Sequence, residues 1–211
     1  MELSLSKKHF KYYINNNQPN FVCTLEKQQC SCIKSDGNRC RRKVVIGLEF
    51  CFQHLELKRH LKIKKSTIPN SGLGVFAIDS RLPSDDTKTI LFRGERNKKR
   101  GTGDFITNYN GETISNTEAE DRYHDNTAPY ACRINPRAVV DAACSRGLGS
   151  MINSTTSYSA ANCEFVQRRV GHQPVGVYVR ARKNIRNGEE LKVWYGKDYL
   201  FHEDGVRFST R

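Results

Sequence analysis

NIRNGEELKVWYG, at residues 184–196, is the last of four segments that carry most of the structural information in this chain. The other three are NSGLGVFA at 70–77, NYNGETI at 108–114 and YACRINPRAVVDAACSRGLGSMIN at 130–153. Throughout this region, short runs of β-branched and aromatic residues are separated by Gly, Asn, Asp and Pro. The pattern predicts a mainly β domain of about 130 residues with few helices. One helix start is indicated by Thr117 and Glu120, which fit an S/T-x-x-E capping box.

The overall composition predicts one sizeable core and no membrane span. Of the 211 residues, 37% are hydrophobic and 27% are charged. No stretch approaches the ~18 consecutive apolar residues that a spanning helix needs, so we expect no membrane partner. The N-terminal stretch MELSLSKKHFKYYINNNQ has no apolar central run of the signal-peptide kind, which favours an intracellular protein.

The chain divides by character into five parts. Residues 1–29 are predicted to be a polar arm, 30–55 a cysteine-rich motif, 56–66 a basic linker or short helix, 67–200 the β-rich domain and 201–211 a tail. Lys and Arg number 35 against 22 Asp and Glu, which gives a formal net charge of +13. Such an excess favours anionic partners, whether nucleic acid, chromatin or an acidic lipid surface.

Five of the eight cysteines lie in the first quarter of the chain, and their spacing indicates a metal site. A chain without an export signal is not expected to carry a disulfide framework. Cys51 and His54 form a C-x2-H pair, and Cys40 with either Cys30 or Cys32 would complete the four ligands of a tetrahedral Zn²⁺. The alternative is a set of unrelated buried thiols beside a surface histidine.

The cysteine-rich segment also resembles a small zinc-binding motif. That motif has a cysteine, a glycine seven residues later, an Arg-Cys pair, and then an aromatic residue followed by Cys-x-x-His. The matching residues are Cys30, Gly37, Arg39, Cys40, Phe50, Cys51 and His54. The resemblance implies that Cys30 rather than Cys32 is the first ligand of one structural zinc ion, since four protein ligands leave no open position for chemistry.

The glycines of 70–77 admit a different interpretation. Residues 72–77, GLGVFA, formally match the G-x-G-x-x-A fingerprint of dinucleotide-binding proteins. That fingerprint needs an apolar strand before the glycines and a helix after them. The preceding KIKKSTIPNS is polar, and the following IDSRLPSDD contains Pro83, which disfavours a helix interior. The sequence context therefore argues against a nicotinamide-dependent oxidoreductase.

In their order and spacing, the four segments together resemble a SET domain, the fold of protein lysine methyltransferases. The resemblance runs over residues 67–200, and the ending GEELKVWYGKDY is similar to the PR-domain branch of the family. It implies a fold of small curved sheets around a pseudoknot-like C-terminal motif, preceded here by the small zinc-binding module. It also implies S-adenosylmethionine as the methyl donor.

The resemblance implies a role for individual residues. Tyr195 corresponds to the catalytic tyrosine, whose hydroxyl orients the lysine amine and the donor methyl, and Tyr109 corresponds to a tyrosine that lines the lysine channel. The residues implied to bind the donor are Ser71, Gly72, Leu73, Gly74, Tyr130, Asn153 and Ser154. The structural alternatives are buried tyrosines paired with backbone carbonyls, and glycines that serve only a turn.

Several positions depart from the family pattern. Ser154 replaces the histidine that follows Asn153 in the family, and three residues are inserted before Asn162. No cysteine follows Cys163, so a post-SET zinc site cannot form. Aromatic residues of the tail would then have to close the lysine channel, the candidates being Tyr199, Phe201 and Phe208. A further insertion at 80–103 ends in NKKRGTG and is predicted to be a basic surface loop.

We therefore expect a protein lysine N-methyltransferase that acts on a basic protein tail, a histone above all, in the nucleus or on chromatin. Its positive charge would dock nucleosomal DNA through phosphate contacts. The alternative is a non-catalytic SET-like module that binds chromatin or a partner protein, which Ser154 and the insertions favour. A zinc-dependent nucleic-acid-binding protein is a third interpretation, but the cysteine cluster lacks a recognition helix or base-reading aromatic residues.

Overall fold

The structure, a computed structural model, describes residues 26–95, 102–123 and 130–196, together with the backbone of two strands near the C-terminus. Its α-helices are α1 Phe52–Arg59 and α2 Asn116–Tyr123, and a 3-10 turn lies at Leu148–Met151. Its strands are β1 Lys27–Gln29, β2 Lys43–Val45, β3 Leu61–Lys65, β4 Leu73–Ala77, β5 Ile90–Phe92, β6 Phe105–Asn108, β7 Glu112–Ser115, β8 Ala131–Asn135, β9 Ala138–Asp141, β10 Asn153–Ser154, β11 Cys163–Val170, β12 Gln173–Ala181, β13 Ile185–Arg186, β14 Lys192–Val193, β15 Tyr199–His202 and β16 Gly205–Phe208. The described part of the chain is mainly β with two short helices, as the sequence predicts.

The strands form several small sheets instead of one large sheet. One antiparallel sheet has the order β11-β12-β6, and a second has the order β7-β9-β8. The described two-stranded sheets are β1-β2, β3-β4, β5-β13, β10-β14 and β15-β16. Among these pairings only β10-β14 is parallel. Small sheets of this kind follow from strands that are mostly two to five residues long, since a short strand exposes few backbone groups for further pairing.

The C-terminal segment passes between two parts of one loop. On one side β14 pairs with β10, and the amide of Thr155 donates to the carbonyl of Val193 at 2.7 Å. On the other side the Asn162 side chain accepts from the amide of Lys192 at 2.8 Å and donates to the carbonyl of Glu190 at 2.9 Å. Residues 190–193 are thus held on both edges by residues 153–162, which is the pseudoknot-like arrangement expected of the fold.

The cysteine-rich segment and the β-rich domain share one hydrophobic core. Leu55 of α1 and Leu61 of β3 are buried together with Val75 of β4, Ile152 and Leu191. The antiparallel pairing of β3 with β4 places Leu61 opposite Ala77. Residues 56–66, which the sequence presents as a basic linker or short helix, are therefore the last turn of α1 followed by strand β3.

The residue that caps the N-terminus of helix α2 lies two positions before the predicted one. The hydroxyl of Ser115 accepts the amide of Glu118 at 3.1 Å, so the S-x-x-E pair that caps the helix is Ser115 with Glu118, not Thr117 with Glu120. Both pairs fit the pattern. The earlier one is used because β7 ends at Ser115, and the chain leaves the sheet there.

The sequence also predicts that the chain has no membrane span and no disulfide framework. None of the helices described is long and apolar enough to cross a membrane. Cys144 is disulfide-bonded, an exception to the expectation of no disulfide framework, whereas the other described cysteines are free thiols. The arm at 1–25, most of the basic loop NKKRGTG and the side chains of residues 199–211 lie outside the described residues.

Candidate active site and candidate metal centre

Three cysteines and one histidine come together at the N-terminal side of the described chain. The ligand atoms of Cys30, Cys40, Cys51 and His54 all lie within 4.8 Å of one another. Nδ1 of His54 lies 3.5 Å from Sγ of Cys30 and 3.4 Å from Sγ of Cys51. A tetrahedral zinc ion with Zn–S of about 2.3 Å and Zn–N of about 2.0 Å would separate such atoms by about 3.6 Å. The four side chains therefore fit one zinc ion.

Local structure explains how this ligand set forms. Cys30 follows β1 and Cys40 precedes β2, and these strands pair, so the two cysteines lie side by side. The chain between them turns at Gly37, whose φ of +77° is in the left-handed region. Cys51 directly precedes α1 and His54 lies in its first turn, so one helical turn presents both ligands. These four residues, here called the Cys/His cluster, are those that the motif resemblance implies.

Cys32 is buried but does not join the Cys/His cluster. Its Sγ donates to the carbonyl of Ile33 at 3.4 Å. The backbone carbonyl of Cys32 accepts the amide of Cys40 at 2.8 Å. Among the described residues, the cluster whose geometry suits a metal ion contains Cys30 and not Cys32.

The glycine segment at 71–74 is a tight turn that leads into β4. Asn70 and Gly72 both have left-handed backbone, with φ of +60° and +65°. The amide of Ser66 donates to the carbonyl of Gly72 at 2.9 Å and closes the turn. A Cβ at Gly74 would collide with the carboxylate of Glu190. Each glycine thus has a local structural reason, in addition to the donor-binding role that the family resemblance implies.

Glu190 is a buried carboxylate directly beneath this turn. It accepts hydrogen bonds from the hydroxyl of Ser66 at 2.6 Å, the amide of Thr67 at 2.8 Å and the hydroxyl of Thr67. Burial opposes ionisation of this carboxyl, but the hydrogen bonds outweigh burial and lower its pKa below the ordinary value of 4.5. Glu190 is therefore an ionised anchor for the start of the glycine segment.

Asn153 and Ser154 connect the glycine segment to the C-terminal motif. The side-chain amide of Asn153 donates to the carbonyl of Leu73 at 3.0 Å and to Glu190 at 3.3 Å. The buried hydroxyl of Ser154 accepts the amide of Tyr195 at 3.1 Å. Ser154, which stands where the family has histidine, thus holds the backbone of the residue that the resemblance makes catalytic.

Two tyrosines and a phenylalanine form an aromatic group beside this segment. The ring of Phe165 stacks on that of Tyr195 with centroids 6.0 Å apart, and it meets the ring of Tyr109 edge-on at 5.4 Å. The hydroxyl of Tyr195 donates to the carbonyl of Ile152 at 2.6 Å, and that of Tyr109 donates to the carbonyl of Tyr130 at 2.8 Å. The structure therefore brings the two predicted catalytic residues into contact with the same ring, that of Phe165.

Burial fixes the protonation state of both hydroxyls. It raises the pKa of Tyr109 and of Tyr195 well above the ordinary value of 10.0. Both side chains are therefore protonated phenols at neutral pH. They can donate and accept hydrogen bonds and orient a substrate, but they cannot serve as the base that deprotonates it.

Tyr130 lies at the edge of the aromatic group. The guanidinium carbon of Arg146 stands 3.7 Å from the centroid of its ring, a close cation–π contact. A cavity of about 500 Å³ opens next to Tyr109, between residues 47–49 on one side and 108–111 and 175–177 on the other. Tyr109 lines this cavity, whereas Phe165 and Tyr195 are not among its lining residues.

Two residues of this site were missed by sequence analysis. Glu190 belongs to a quoted segment, but a charged residue six positions before the end of that segment is expected at the surface until its burial is known. Phe165 belongs to the run CEFVQ, and the alternation of that run could have placed it on the same face as Cys163. Nothing in the sequence alone brings Phe165 to Tyr195, which lies 30 positions later.

Comparisons with known proteins agree with this arrangement. A family model of the SET domain matches residues 97–196. The crystal structure of polycomb repressive complex 2 from Chaetomium thermophilum is similar at a TM-score of 0.50, with 25% identity over 69% of this chain and 16% of that chain. The same complex in an autoinhibited conformation bound to S-adenosylmethionine gives a TM-score of 0.48, with 27% identity over 65% of this chain and 15% of the other. This chain thus spans about one sixth of the length of these two chains, and a search of curated proteins gave no match.

Proposed function

We propose, from the match of residues 97–196 to the SET-domain family model, that the protein is an S-adenosylmethionine-dependent lysine N-methyltransferase and that its substrate is a histone. One observation carries the proposal: the rings of Tyr109, which is buried, and Tyr195, which is partly buried, meet on Phe165, and the Tyr195 hydroxyl bonds the carbonyl of Ile152. The similarity to a polycomb repressive complex, at a TM-score of 0.50, supports a chromatin substrate and a nuclear location.

The donor would be held by the backbone of the glycine segment and by the residues bonded to it. Two of the four residues at 71–74 are glycines, which leaves the turn without side chains at those positions, and Asn153 bonds the carbonyl of Leu73. Ser154 and Tyr130 complete the implied donor-binding set. When bound, S-adenosylmethionine supplies an activated methyl group on a sulfonium.

The residues of this chain would position a lysine amine and favour its neutral form. An apolar aromatic surface disfavours the ammonium, because burial of a charge costs free energy that water would otherwise supply. The protonated hydroxyls of Tyr109 and Tyr195 then fix the direction of the nitrogen lone pair, and alignment for in-line attack is the main source of rate enhancement. The Cys/His cluster would hold a structural zinc ion outside the reaction.

A second candidate is a non-catalytic SET-like module that binds chromatin. It is favoured by Ser154, because a serine at the family's histidine position provides no imidazole. The Ser154 hydroxyl instead accepts from the Tyr195 amide and donates to the Thr155 carbonyl. The two candidates differ in one measurable property, which is turnover.

The test is donor binding followed by methyl transfer with the full chain. Titration calorimetry measures the affinity for S-adenosylmethionine, and radiolabelled donor with mixed core histones measures transfer to lysine. We expect both binding and lysine labelling. Donor binding without labelling of histones or of other basic proteins would favour the non-catalytic module, and absence of donor binding would overturn the proposal.

We also propose that the segment around the Cys/His cluster contacts nucleosomal DNA. Residues 26–66 contain eleven Lys and Arg against four Asp and Glu, a net charge of +7, and most of these basic side chains are exposed. Each phosphate contact contributes about −0.9 to the slope of log K against log salt. A triple variant with Arg41→Ser, Arg42→Ser and Lys43→Ser is expected to reduce that slope by up to about 3 on a random duplex. An unchanged slope would contradict the assignment.

A further inference from the structure

We propose that the Cys/His module, defined as residues 26–59, positions the lysine-binding side of the active site through the loop at Gly47, so that metal binding and methyl transfer are linked. The inference rests on the proposed function and gives the metal motif a role that its sequence does not reveal. Two separate contacts from Gly47, described next, lead to Tyr109 and Tyr130.

The first contact is a close backbone approach. Gly47 has a φ of +99°, and a Cβ added to it would lie 2.7 Å from the carbonyl carbon and 2.8 Å from the nitrogen of Arg146. Real Cβ atoms are not found at such distances, so the glycine allows the loop to press directly on the Arg146 backbone. The guanidinium of Arg146 in turn covers the ring of Tyr130 at 3.7 Å.

The second contact is a hydrogen bond on the other side of the same glycine. The side-chain amide of Asn110 donates to the carbonyl of Gly47 at 3.1 Å. Asn110 is the immediate neighbour of Tyr109, whose hydroxyl donates to the carbonyl of Tyr130. The loop therefore holds both members of the Tyr109–Tyr130 pair, one through Asn110 and the other through Arg146.

The contact region has little room to adjust. A Cβ at Gly147 would lie 2.7 Å from Cβ of Asn110, and one at Gly149 would lie 2.9 Å from Cα of Tyr109. Residues 147–149 are thus packed against residues 108–110 without intervening side chains. A displacement of the Gly47 loop by a few tenths of an ångström must move these segments, because close-packed interiors transmit strain.

The module in turn fixes the loop. The amide of Leu48 donates to the carbonyl of Val45, the side chain of Gln28 donates to the carbonyl of Leu48 at 2.8 Å, and the carbonyl of Glu49 accepts from the amide of Ser31. Gln28 and Ser31 lie within two residues of Cys30, and Cys51 follows the loop directly. The same residues 47–49 also form one wall of the cavity that Tyr109 lines.

The test compares Gly47→Ala with Gly37→Ala in the full, zinc-loaded chain. Both glycines have positive φ in the same module, but a Cβ at Gly37 meets no atom within 4 Å. Both variants therefore carry a side chain at positive φ, and only Gly47→Ala pushes on Arg146. We expect Gly47→Ala to lower kcat by at least ~10-fold and to leave the KM for the donor within ~3-fold, while Gly37→Ala stays within ~2-fold of wild type in both.

A second measurement does not depend on activity. Hydrogen exchange of amides in 105–111 and 142–149 is expected to become at least ~10-fold faster in Gly47→Ala and to stay unchanged in Gly37→Ala, at equal zinc content. If Gly47→Ala fails to fold, Asn110→Ala replaces it, since it keeps the Cβ against Gly147 and removes only the bond to Gly47. Its expected effects have the same direction.

The outcomes separate this inference from the proposed function. Equal exchange and equal kinetics in Gly47→Ala, Gly37→Ala and wild type would overturn the linkage. A wild-type protein that labels no lysine contradicts the proposed function, yet faster exchange in Gly47→Ala alone would still support the mechanical connection between module and site.

Discussion

The hydroxyl oxygen of Tyr195 has both a proposed catalytic role and a structural hydrogen bond, and Tyr195→Phe removes this one atom. In the proposed mechanism it acts mainly in the transition state, so Tyr195→Phe is expected to reduce methyl transfer by at least ~100-fold while donor affinity changes only a few-fold. The structure adds a cost, because the hydroxyl also donates to the carbonyl of Ile152. Loss of that bond should lower the free energy of unfolding by about 1 kcal/mol.

Radiolabelled transfer and thermal unfolding measure the two effects of Tyr195→Phe separately. Tyr178→Phe is a suitable control, since the ring of Tyr178 in β12 packs against Phe105 in β6 and not against the aromatic group. Equal labelling by Tyr195→Phe and wild type would show that Tyr195 has no catalytic role.

Glu190 supports a second prediction about a single residue. Glu190→Gln replaces an acceptor of several hydrogen bonds with a group that must also donate, so we expect loss of stability and at least ~10-fold weaker donor binding through displacement of the glycine turn. Glu189→Gln is the control, because Glu189 accepts only a local amide, that of Arg186, among the described bonds of its side chain. Calorimetry and thermal unfolding compare the two.

The pKa of Glu190 also gives this prediction a pH dependence. Since the folded protein lowers that pKa below 4.5, the stabilisation is complete above this value and is lost as the pH falls below it. The stability difference between wild type and Glu190→Gln should therefore shrink on acidification from about pH 5 to about pH 3. A difference that stays constant over this range would contradict the ionised state of Glu190.

The β1–β2 hairpin and the start of α1 form the metal centre together, and each contributes ligands that the other lacks. Cys51→Ser removes one of three thiolates and is expected to abolish stoichiometric zinc binding. Cys32→Ser is the matched control, because Cys32 is equally buried but lies outside the Cys/His cluster. Metal analysis of the purified variants decides: one equivalent in Cys32→Ser and none in Cys51→Ser supports the ligand set, and full zinc in Cys51→Ser refutes it.

The turn before β4 has two explanations, and one substitution distinguishes them. Gly72→Val would combine backbone strain with a new side chain, because the φ of Gly72 is +65°. Gly72→Asn avoids most of the strain, as Asn tolerates left-handed backbone and Asn70 already adopts it in this turn. If the backbone approaches the donor closely, Gly72→Asn should weaken donor binding at least ~10-fold with little loss of stability. Unchanged affinity would mean that the glycine serves only the turn.

The shared core makes a prediction about the unfolding of the whole molecule. Because Cys30, Cys51 and Leu55 belong to the same buried cluster as Val75 and Leu191, the module should not unfold by itself. Removal of zinc with a chelator is expected to lower the temperature of one cooperative transition that includes the β-rich domain. Calorimetry together with near-ultraviolet circular dichroism follows this. A separate low-temperature transition with the main transition unmoved would contradict a common core.

Much of the architecture could be derived from local sequence patterns. The short β-rich runs, such as VFA at 75–77 in β4, are predicted because β-branched and aromatic residues favour pleated, half-buried strands. The C-x2-H pair at Cys51 and His54 was recognised because one helical turn brings both to the same side. Strand β3 was missed because its lysines read as a charged linker, although the pairing with β4 satisfies its backbone and buries Leu61.

The sequence by itself determined the mainly β character of the domain, the ligand-rich segment and the order of the family segments, since these depend on residues close together in the chain. Tertiary structure alone decided which distant groups meet. It placed Phe165 on Tyr195, the carboxylate of Glu190 beneath Gly74, and Gly47 against Arg146. Such contacts depend on how small sheets pack around a threaded C-terminal segment. A buried charge or a glycine without space for a side chain is visible only when the neighbour that surrounds it is known.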